Sequence, residues 1–335
     1  MSTIKDVAKE AGVSIATVSR VINNSPKASQ SAFESVGKAM RKLGYRPNAA
    51  AKALVSQNTN TVGVLVGDVS DPFFGTLIKA VDKIAHENGK HTLIGNGYHN
   101  AKEERDAIEL LINNRCDALI IHSKGLTDEE LIAYGKEVKS MVLINRHIEA
   151  LAERCVSLDN FKGAFLATEF LIRHGHSKIA FICSNHTIED VEQRRRGYLA
   201  ALNKYGIELP KSYVDFGSPD CEGGEQAMTS LLTKSVDMTA VVAYNDNMAA
   251  GALSIANENG LQIPEQLSIV GFDDSLIARY VHPKLTTVRY PIQMMAEKAT
   301  HIALQLANEA QTEYDTLRFS PTVVKRDSVM KSVGQ

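Results

Sequence analysis

Residues 3–23 predict two short amphipathic helices joined by a tight turn. Thr3 and Asp6 have the spacing of a capping box, and Gly12 can adopt the left-handed conformation that ends a helix. Ser14 can cap the second helix, and apolar faces on both helices can pack together. The residues left facing outward on the second helix are Ile15, Ala16, Thr17, Ser19 and Arg20. This arrangement is typical of a helix-turn-helix, whose second helix reads base edges in the major groove of DNA.

Charge is distributed unevenly along the chain. Residues 1–58 contain nine lysines and arginines but three acidic residues, which gives this segment a net charge of about +6. The whole chain carries −2, so the remainder is acidic, at about −8. Only the N-terminal segment therefore suits a polyanion such as DNA, although an ordinary three-helix bundle with surface lysines is an alternative.

A third helix, predicted at residues 30–43 with Gly44 as its stop, would complete this N-terminal segment. Residues 47–58 follow, and their alanine-rich part has good helix propensity but is too short to be stable alone in water. Such a segment can be a hinge helix that folds on DNA or a plain linker, and its composition does not distinguish the two.

From residue 61 onward, short apolar strands alternate with amphipathic helices almost to the end of the chain. The strands are predicted at residues 62–66, 92–94, 118–121, 141–144, 178–183, 239–243 and 267–270. This alternation is typical of α/β folds, in which helices cover both faces of doubly wound parallel sheets. The segment is too long for one sheet, so we expect two lobes with a boundary near residues 158–160.

Polar side chains follow nearly every predicted strand, at the sheet edge where open α/β folds bind their ligands. Amides, carboxylates and guanidinium groups can each contact two neighbouring hydroxyls, and an aromatic ring can cover the apolar side of a sugar. The set therefore favours a small polyhydroxylated ligand, although any one member could simply cap a helix or turn. Its members are Asp68, Asp71, Phe73, Phe74, Asn96, His122, Ser123, Asn145, Arg146, Ser184, Asn185, Asn245, Asp246, Asp273 and Asp274.

The sequence argues against an enzyme, a membrane protein and a secreted protein. It has no phosphate-binding loop, zinc-protease motif or nucleophile elbow, and nothing in the spacing of Asp273, Asp274, His122 and His186 favours acid–base chemistry over binding. We therefore expect no catalytic residue, metal or cofactor. No apolar run is long enough to cross a bilayer, and the polar N-terminus is unlike a signal peptide. The four cysteines are widely spaced, so we expect reduced thiols and a cytoplasmic, nucleoid-associated protein.

Several motifs resemble the lactose/galactose repressor (LacI/GalR) family of transcriptional regulators, and the resemblance covers essentially the whole chain. In the N-terminal segment these motifs occupy residues 6–8, 12–21 and 44–48. Farther on they occupy residues 244–252, the Gly-Phe-Asp-Asp of residues 271–274, and the Leu-Thr-Thr-Val of residues 285–288. Within the family, the galactose repressors and isorepressors are the most similar branch, on the evidence of residues 23–29, 67–74, 93–99 and 141–146.

The resemblance implies a DNA-binding headpiece (residues 1–46), a hinge helix (residues 47–58) and a two-lobed core like the periplasmic sugar-binding proteins. The first lobe would comprise residues 59–158 and 290–318, and the second residues 159–289 and 319–335, with three strands crossing between them. A homodimer is expected, since the sequence lacks the leucine-heptad tail of the tetrameric lactose repressor. Its partner would be double-stranded palindromic operator DNA, whose two-fold symmetry matches that of the dimer.

The resemblance also assigns roles to individual residues at the DNA. Ile15, Ala16 and Arg20 would contact bases, and Leu54 of the hinge would wedge into the minor groove and bend the duplex. Contacts to phosphates would come from Thr3, Ser14, Thr17, Asn23, Ser29 and Tyr45.

For the effector, the resemblance implies seven residues in a cleft between the lobes. Arg194 would be the ligand arginine, although a one-residue shift within the run of three arginines would place Arg195 there. The other six are Asp71, Phe73, Phe74, Asn145, Asn245 and Asp273.

The implied function is repression of galactose transport or utilisation genes, with release from the operator by D-galactose. The alternatives are a family member that responds to another sugar, and a purine-type regulator whose small molecule is a corepressor. A sugar transport receptor is a further alternative, which the basic N-terminal segment opposes, and a sugar-modifying enzyme is another.

Overall fold

The structure, a computed structural model, describes residues 2–23, 25–46, 59–309 and 317–332. These residues divide into an N-terminal unit that ends at Thr59 and a second unit that begins at Asn60. The predicted hinge helix at residues 47–58, including Leu54, lies outside the described residues.

The N-terminal unit contains the predicted helix-turn-helix and its third helix. Its helices are α1 Ile4–Ala11, α2 Ile15–Ile22 and α3 Gln30–Leu43. Thr3 and Asp6 form the predicted capping box, and Gly12 ends α1 in the left-handed conformation, with φ of 67°. One valine from each helix is fully buried at the centre of the unit: Val7, Val18 and Val36. The helix-turn-helix predicted from the sequence is therefore confirmed.

The described part of the second unit contains two sheets. The strands are β1 Thr61–Val66, β2 His91–Asn96, β3 Ala118–Ile121, β4 Met141–Ile144, β5 Cys155–Leu158, β6 Ile179–Ser184, β7 Val214–Gly217, β8 Ala240–Ala243, β9 Ser268–Asp273, β10 Thr286–Arg289, β11 Arg318–Phe319 and β12 Thr322–Val324. The first sheet has the order β11-β5-β4-β3-β1-β2 and the second the order β12-β10-β9-β8-β6-β7. All neighbouring strands are parallel except β10 and β12, which are antiparallel. The predicted α/β class is confirmed, with one antiparallel edge strand, as many doubly wound sheets have.

Helices cover the two sheets. They are α4 Pro72–Glu87, α5 Ala101–Asn113, α6 Asp128–Glu137, α7 Asn160–Arg173, α8 Glu189–Lys204, α9 Cys221–Thr233, α10 Asp246–Glu258, the short α11 Ile277–Tyr280 and α12 Ile292–Ala307. Among the helices that the structure describes, none is both long and apolar enough to cross a membrane. Cys116, Cys155, Cys183 and Cys221 are free thiols.

The chain passes between the two sheets three times. It leaves the first sheet after β5 and forms the second sheet from β6 to β10. It then returns through α12, which packs on α4, β3 and β4, and adds β11 to the first sheet before β12 joins the second. Residues at or after the carboxyl ends of strands in both lobes border the same cleft, where open α/β folds bind their ligands.

Candidate functional site

The second helix of the N-terminal unit presents the residues predicted to read DNA. Val18 and Val21 are buried against the other two helices, which turns the opposite face of α2 outward. Ile15 keeps 45% of its surface exposed, and Ala16 and Arg20 are also exposed. An exposed apolar residue beside an exposed arginine suits contact with base edges and thymine methyl groups.

Three of the predicted phosphate contacts are hydroxyl residues at helix N-termini. Thr3, Ser14 and Ser29 cap α1, α2 and α3, and each accepts a hydrogen bond from a backbone N–H of its helix. Helix N-termini carry partial positive charge, so they attract phosphate groups. Ser14 Oγ also lies 2.9 Å from Thr17 Oγ1, which holds both hydroxyls at the start of α2.

The remaining two phosphate candidates lie at other places in the N-terminal unit. Asn23 is exposed at the end of α2, whereas Tyr45 is partly buried against the unit's core.

All seven predicted effector residues line one cleft between the lobes of the second unit. The first lobe provides Asp71, Phe73 and Phe74 at the start of α4 and Asn145 after β4. The second lobe provides Arg194, Asn245 and Asp273. The same cleft is also lined by His99, His122, His186, Ile188, Asp190, Pro219, Tyr244 and Tyr290.

Arg194 is the buried cation of this cleft. Its guanidinium donates to Asn160 Oδ1 at 3.0 Å and to the backbone oxygen of Tyr244 at 2.5 Å, and it lies 3.5 Å from Asp273 Oδ1. The guanidinium carbon is 3.7 Å from the ring centroid of Phe272, a cation–π contact. Arg195, by contrast, points outward and pairs with Glu192 on the surface. The structure therefore places Arg194, and not Arg195, in the cleft.

Asp273 and Asn245 are the carboxyl and amide side chains that the second lobe presents to the cleft. Burial raises the pKa of Asp273 well above its usual range, although Arg194 opposes the shift. Asn245 caps α10: its Oδ1 accepts from the Met248 N–H at 2.8 Å, and its Nδ2 donates to the Pro219 oxygen at 2.8 Å. Each amide atom of Asn245 has one further hydrogen-bonding position, so a ligand contact would add to the capping role.

Aromatic rings form one side of the cleft. Phe73 meets Phe74 edge-on at 5.2 Å between centroids and meets Tyr290 edge-on at 5.0 Å. Asp71 caps α4 by accepting from the Phe73 N–H at 2.9 Å, which fixes the start of the helix that carries both phenylalanines. Burial raises the pKa of Asp71 as well. Rings held in this way can cover the apolar face of a sugar.

A polar cluster that the sequence analysis missed connects the two lobes. Asp190 of α8, in the second lobe, accepts from Lys124 Nζ at 2.7 Å and from Asn145 Nδ2 at 2.7 Å, both in the first lobe. Although burial acts to raise it, the charges of Lys124 and Arg194 hold the pKa of Asp190 below its usual value. One signal was present in the sequence, because Asp190 stands four residues before Arg194 and so shares its helix face.

Other strand-end residues have structural partners within the protein. Asp246 accepts from the Thr287 hydroxyl and the Ser275 N–H, and burial raises its pKa to about 7. Asp274 pairs with Arg289 and Arg326. Similar structural bonds are made by Asp68 to Ser70, by Ser123 to Glu104 and by Arg146 to Asp128. The Asp68–Ser70 contact is a local turn, whereas the other contacts join residues far apart in sequence and hold separate elements together.

Two family models match the chain. The model of bacterial regulatory proteins of the lacI family matches residues 3–48, and the model of a periplasmic binding protein-like domain matches residues 168–329. The HTH-type transcriptional regulator GalR of Escherichia coli (strain K12) is 54% identical over 329 residues, which cover 98% of this chain and 96% of that protein. The relatives are transcriptional regulators, not enzymes.

Solved structures of transcriptional regulators are also similar to this chain. A complex of the transcriptional regulator CelR with cellobiose is 29% identical, with a TM-score of 0.71 over 98% of this chain and 100% of that one. The lac repressor dimer bound to operator and the anti-inducer ONPF is 25% identical, with a TM-score of 0.84 over 98% of this chain and 99% of that one.

Proposed function

Because this chain belongs to the LacI family of bacterial transcriptional regulators, we propose that it represses galactose transport or utilisation genes and leaves its operator when D-galactose binds. The observation that carries the proposal is that all seven predicted effector residues line the same interlobe cleft. The similarity to GalR over nearly the whole chain supports galactose over other sugars.

At the DNA, a homodimer would place two copies of α2 in successive major grooves of a palindromic operator. Ile15, Ala16 and Arg20 would contact bases, and the capping hydroxyls of the three headpiece helices would contact phosphates. Leu54, outside the described residues, would enter the minor groove. A protein that acts on chromosomal DNA would work in the cytoplasm, at the nucleoid.

In the cleft, D-galactose would stack on Phe73 and Phe74 and share its hydroxyls between the two lobes. Asp71 and Asn145 would hold it from the first lobe, and Arg194, Asn245 and Asp273 from the second. A ligand held from both sides stabilises the closed arrangement, which would change the dimer and weaken operator binding. The coupling required is modest, since a 100-fold loss of DNA affinity corresponds to about 2.7 kcal/mol.

The proposal is tested by fluorescence anisotropy of a labelled fragment from upstream of the host's galactose genes. We expect tight binding by the full chain and release on titration with D-galactose, but not with ribose or hypoxanthine. Release by ribose but not by D-galactose would show that the effector is a sugar other than galactose. Tighter binding with hypoxanthine would favour a purine-type corepressor instead, and a failure to bind at moderate salt would contradict the repressor proposal for this operator.

The Asp190 cluster gives a prediction about this response. The Asp190→Asn variant removes the charge that joins Lys124 to the second lobe, so the closed arrangement should lose stability. We expect half-release from the operator to require about tenfold more D-galactose, equivalent to about 1.4 kcal/mol. The measurement is the same anisotropy titration.

A matched control is the Asp117→Asn variant. Asp117 forms a similarly buried pair with Lys90, at 2.5 Å, but both residues belong to the first lobe. Its loss should lower stability without shifting the galactose response. Equal shifts in the two variants would show that the Asp190 effect reflects general destabilisation and not closure of the cleft.

A further inference from the structure

Four of the buried polar atoms in the cleft lack a hydrogen-bond partner. In the part of the chain that the structure describes, six buried side-chain nitrogen or oxygen atoms have none. Four of the six line the interlobe cleft: His99 Nδ1, His122 Nδ1, Asn145 Oδ1 and Tyr290 OH. Buried polar groups are normally hydrogen-bonded, and leaving one unpaired is costly. Their concentration in one cleft therefore points to a polar ligand that satisfies them together.

The two histidines in this set belong to a row of three imidazole rings. His99 follows β2 and His122 follows β3 in the first lobe, whereas His186 follows β6 in the second. The ring centroid of His99 lies 5.7 Å from the centroid of His122 and 5.7 Å from that of His186. The rings of His122 and Phe74 meet edge-on, with 4.9 Å between their centroids. The row therefore continues the aromatic side of the cleft across the boundary between the lobes.

We propose that His99, His122 and His186 form a further part of the effector site, in which neutral imidazoles bind the hydroxyl groups of an uncharged sugar. This inference rests on the proposed function and names the residues and the ligand class that the cleft selects. A neutral imidazole has one donor and one acceptor nitrogen, and a hydroxyl is both donor and acceptor. The hydroxyl groups of a polyol can therefore pair with both ring nitrogens, whereas a carboxylate can accept from the N–H nitrogen but has no hydrogen to donate to the other.

The neutral state of the rings makes binding depend on pH. Burial lowers the pKa of His99, and the neighbouring His186 lowers it further; Lys124 also lowers it, while Glu104 and Asp190 oppose the shift. Burial likewise lowers the pKa of His186, against Asp220, and that of His122 falls well below its usual value. Because the three pKa values lie below about 6.5, the ordinary value for histidine, galactose affinity should be constant above that pH and fall only in more acidic solution, where the rings become protonated.

The test is isothermal titration calorimetry of the full chain with D-galactose between about pH 5 and pH 8. For the wild type we expect constant affinity from pH 8 to about pH 6.5 and weaker binding at about pH 5, because the lowered pKa values keep the rings neutral until the solution is more acidic. The His122→Phe variant, which removes both nitrogens, should bind about tenfold more weakly at either pH, as expected for one lost hydrogen bond. The His99→Gln variant keeps a neutral donor and acceptor, so it should retain more affinity than His99→Phe and show a flatter pH profile.

The control is His86→Gln, which replaces an exposed histidine near the end of α4 and should match the wild type. If His122→Phe loses its native circular dichroism spectrum, His122→Gln takes its place. Wild-type affinity in the His99 and His122 variants, with an unchanged pH profile, would overturn the histidine assignment and leave the proposed function standing. If the wild type binds neither galactose nor another neutral sugar, the proposed function fails and the inference fails with it.

Discussion

Replacing Arg194 by methionine is expected to lower the free energy of unfolding by about 3–5 kcal/mol, the usual cost of breaking a buried charge interaction by removing one partner. Arg194 is 4% exposed, and its guanidinium donates hydrogen bonds to Asn160 and to the Tyr244 oxygen. Without it, Asp190 loses a cation that lowers its pKa, and Asp273 loses the arginine that opposes the rise in its pKa. Methionine fills part of the volume but supplies none of these contacts. The variant should also lose its response to D-galactose.

Arg195→Met is the matched control, because it makes the same substitution one position along the same helix. Arg195 pairs with Glu192 at 3.2 Å on the surface, an interaction worth at most about 1 kcal/mol. Urea denaturation followed by circular dichroism should therefore separate the two variants clearly. Similar losses for both, or a larger loss for Arg195→Met, would contradict the placement of Arg194 in the cleft and revive the one-residue shift that the sequence alone left open.

The headpiece could be predicted closely from sequence because its determinants are local. A capping hydroxyl, a glycine that ends the helix and an apolar repeat all act within a few residues. From these signals α3 was predicted at residues 30–43, and the structure has it at Gln30–Leu43. The strands of the core were also predicted where apolar runs are continuous, as at β3 and β4. Such signals need no knowledge of the partner element.

Elements defined by close contact were harder to predict. Helix α9, at residues 221–233, was not predicted, and it contains Gly224, where a Cβ would lie 2.3 Å from the Met248 oxygen of α10. A Cβ at Gly251 of α10 would likewise lie 2.0 Å from the Cys221 oxygen. These glycines allow two helices to approach closely, and that reason is visible only once both helices are in place.

The cleft shows the same division between local and long-range information. The resemblance to a family supplied seven residues, which the structure brings together. It did not supply the bridge from Asp190 to Lys124, because those residues are far apart in sequence and meet only across the lobes. The histidine row was predicted only in part: His122 was among the strand-end residues, but His99 was not, and the three rings follow three different strands.

Replacing Arg20 by alanine is expected to abolish most discrimination between operator and non-operator DNA. Arg20 is exposed in the last turn of α2, where Val18 and Val21 anchor the opposite face of the helix. An arginine that bonds a guanine with both terminal nitrogens contributes about 1–3 kcal/mol per half-site. A dimer on a palindrome uses two copies, so the loss should be about 2–6 kcal/mol, or roughly 30-fold to more than 10,000-fold in affinity.

The measurement compares binding to operator and to scrambled DNA at several salt concentrations, with Arg41→Ala as control. Arg41 is an exposed arginine in the last turn of α3, so this variant removes the same charge without touching α2. If Arg20 reads a base, its loss should weaken operator binding far more than binding to scrambled DNA, and substitutions at one base pair of each half-site should no longer matter. If Arg20 contacts only phosphate, both DNAs should weaken alike and the salt dependence should become shallower, as for any lost backbone contact. The second pattern would contradict the base-reading role and shift specificity to Ile15 and Ala16.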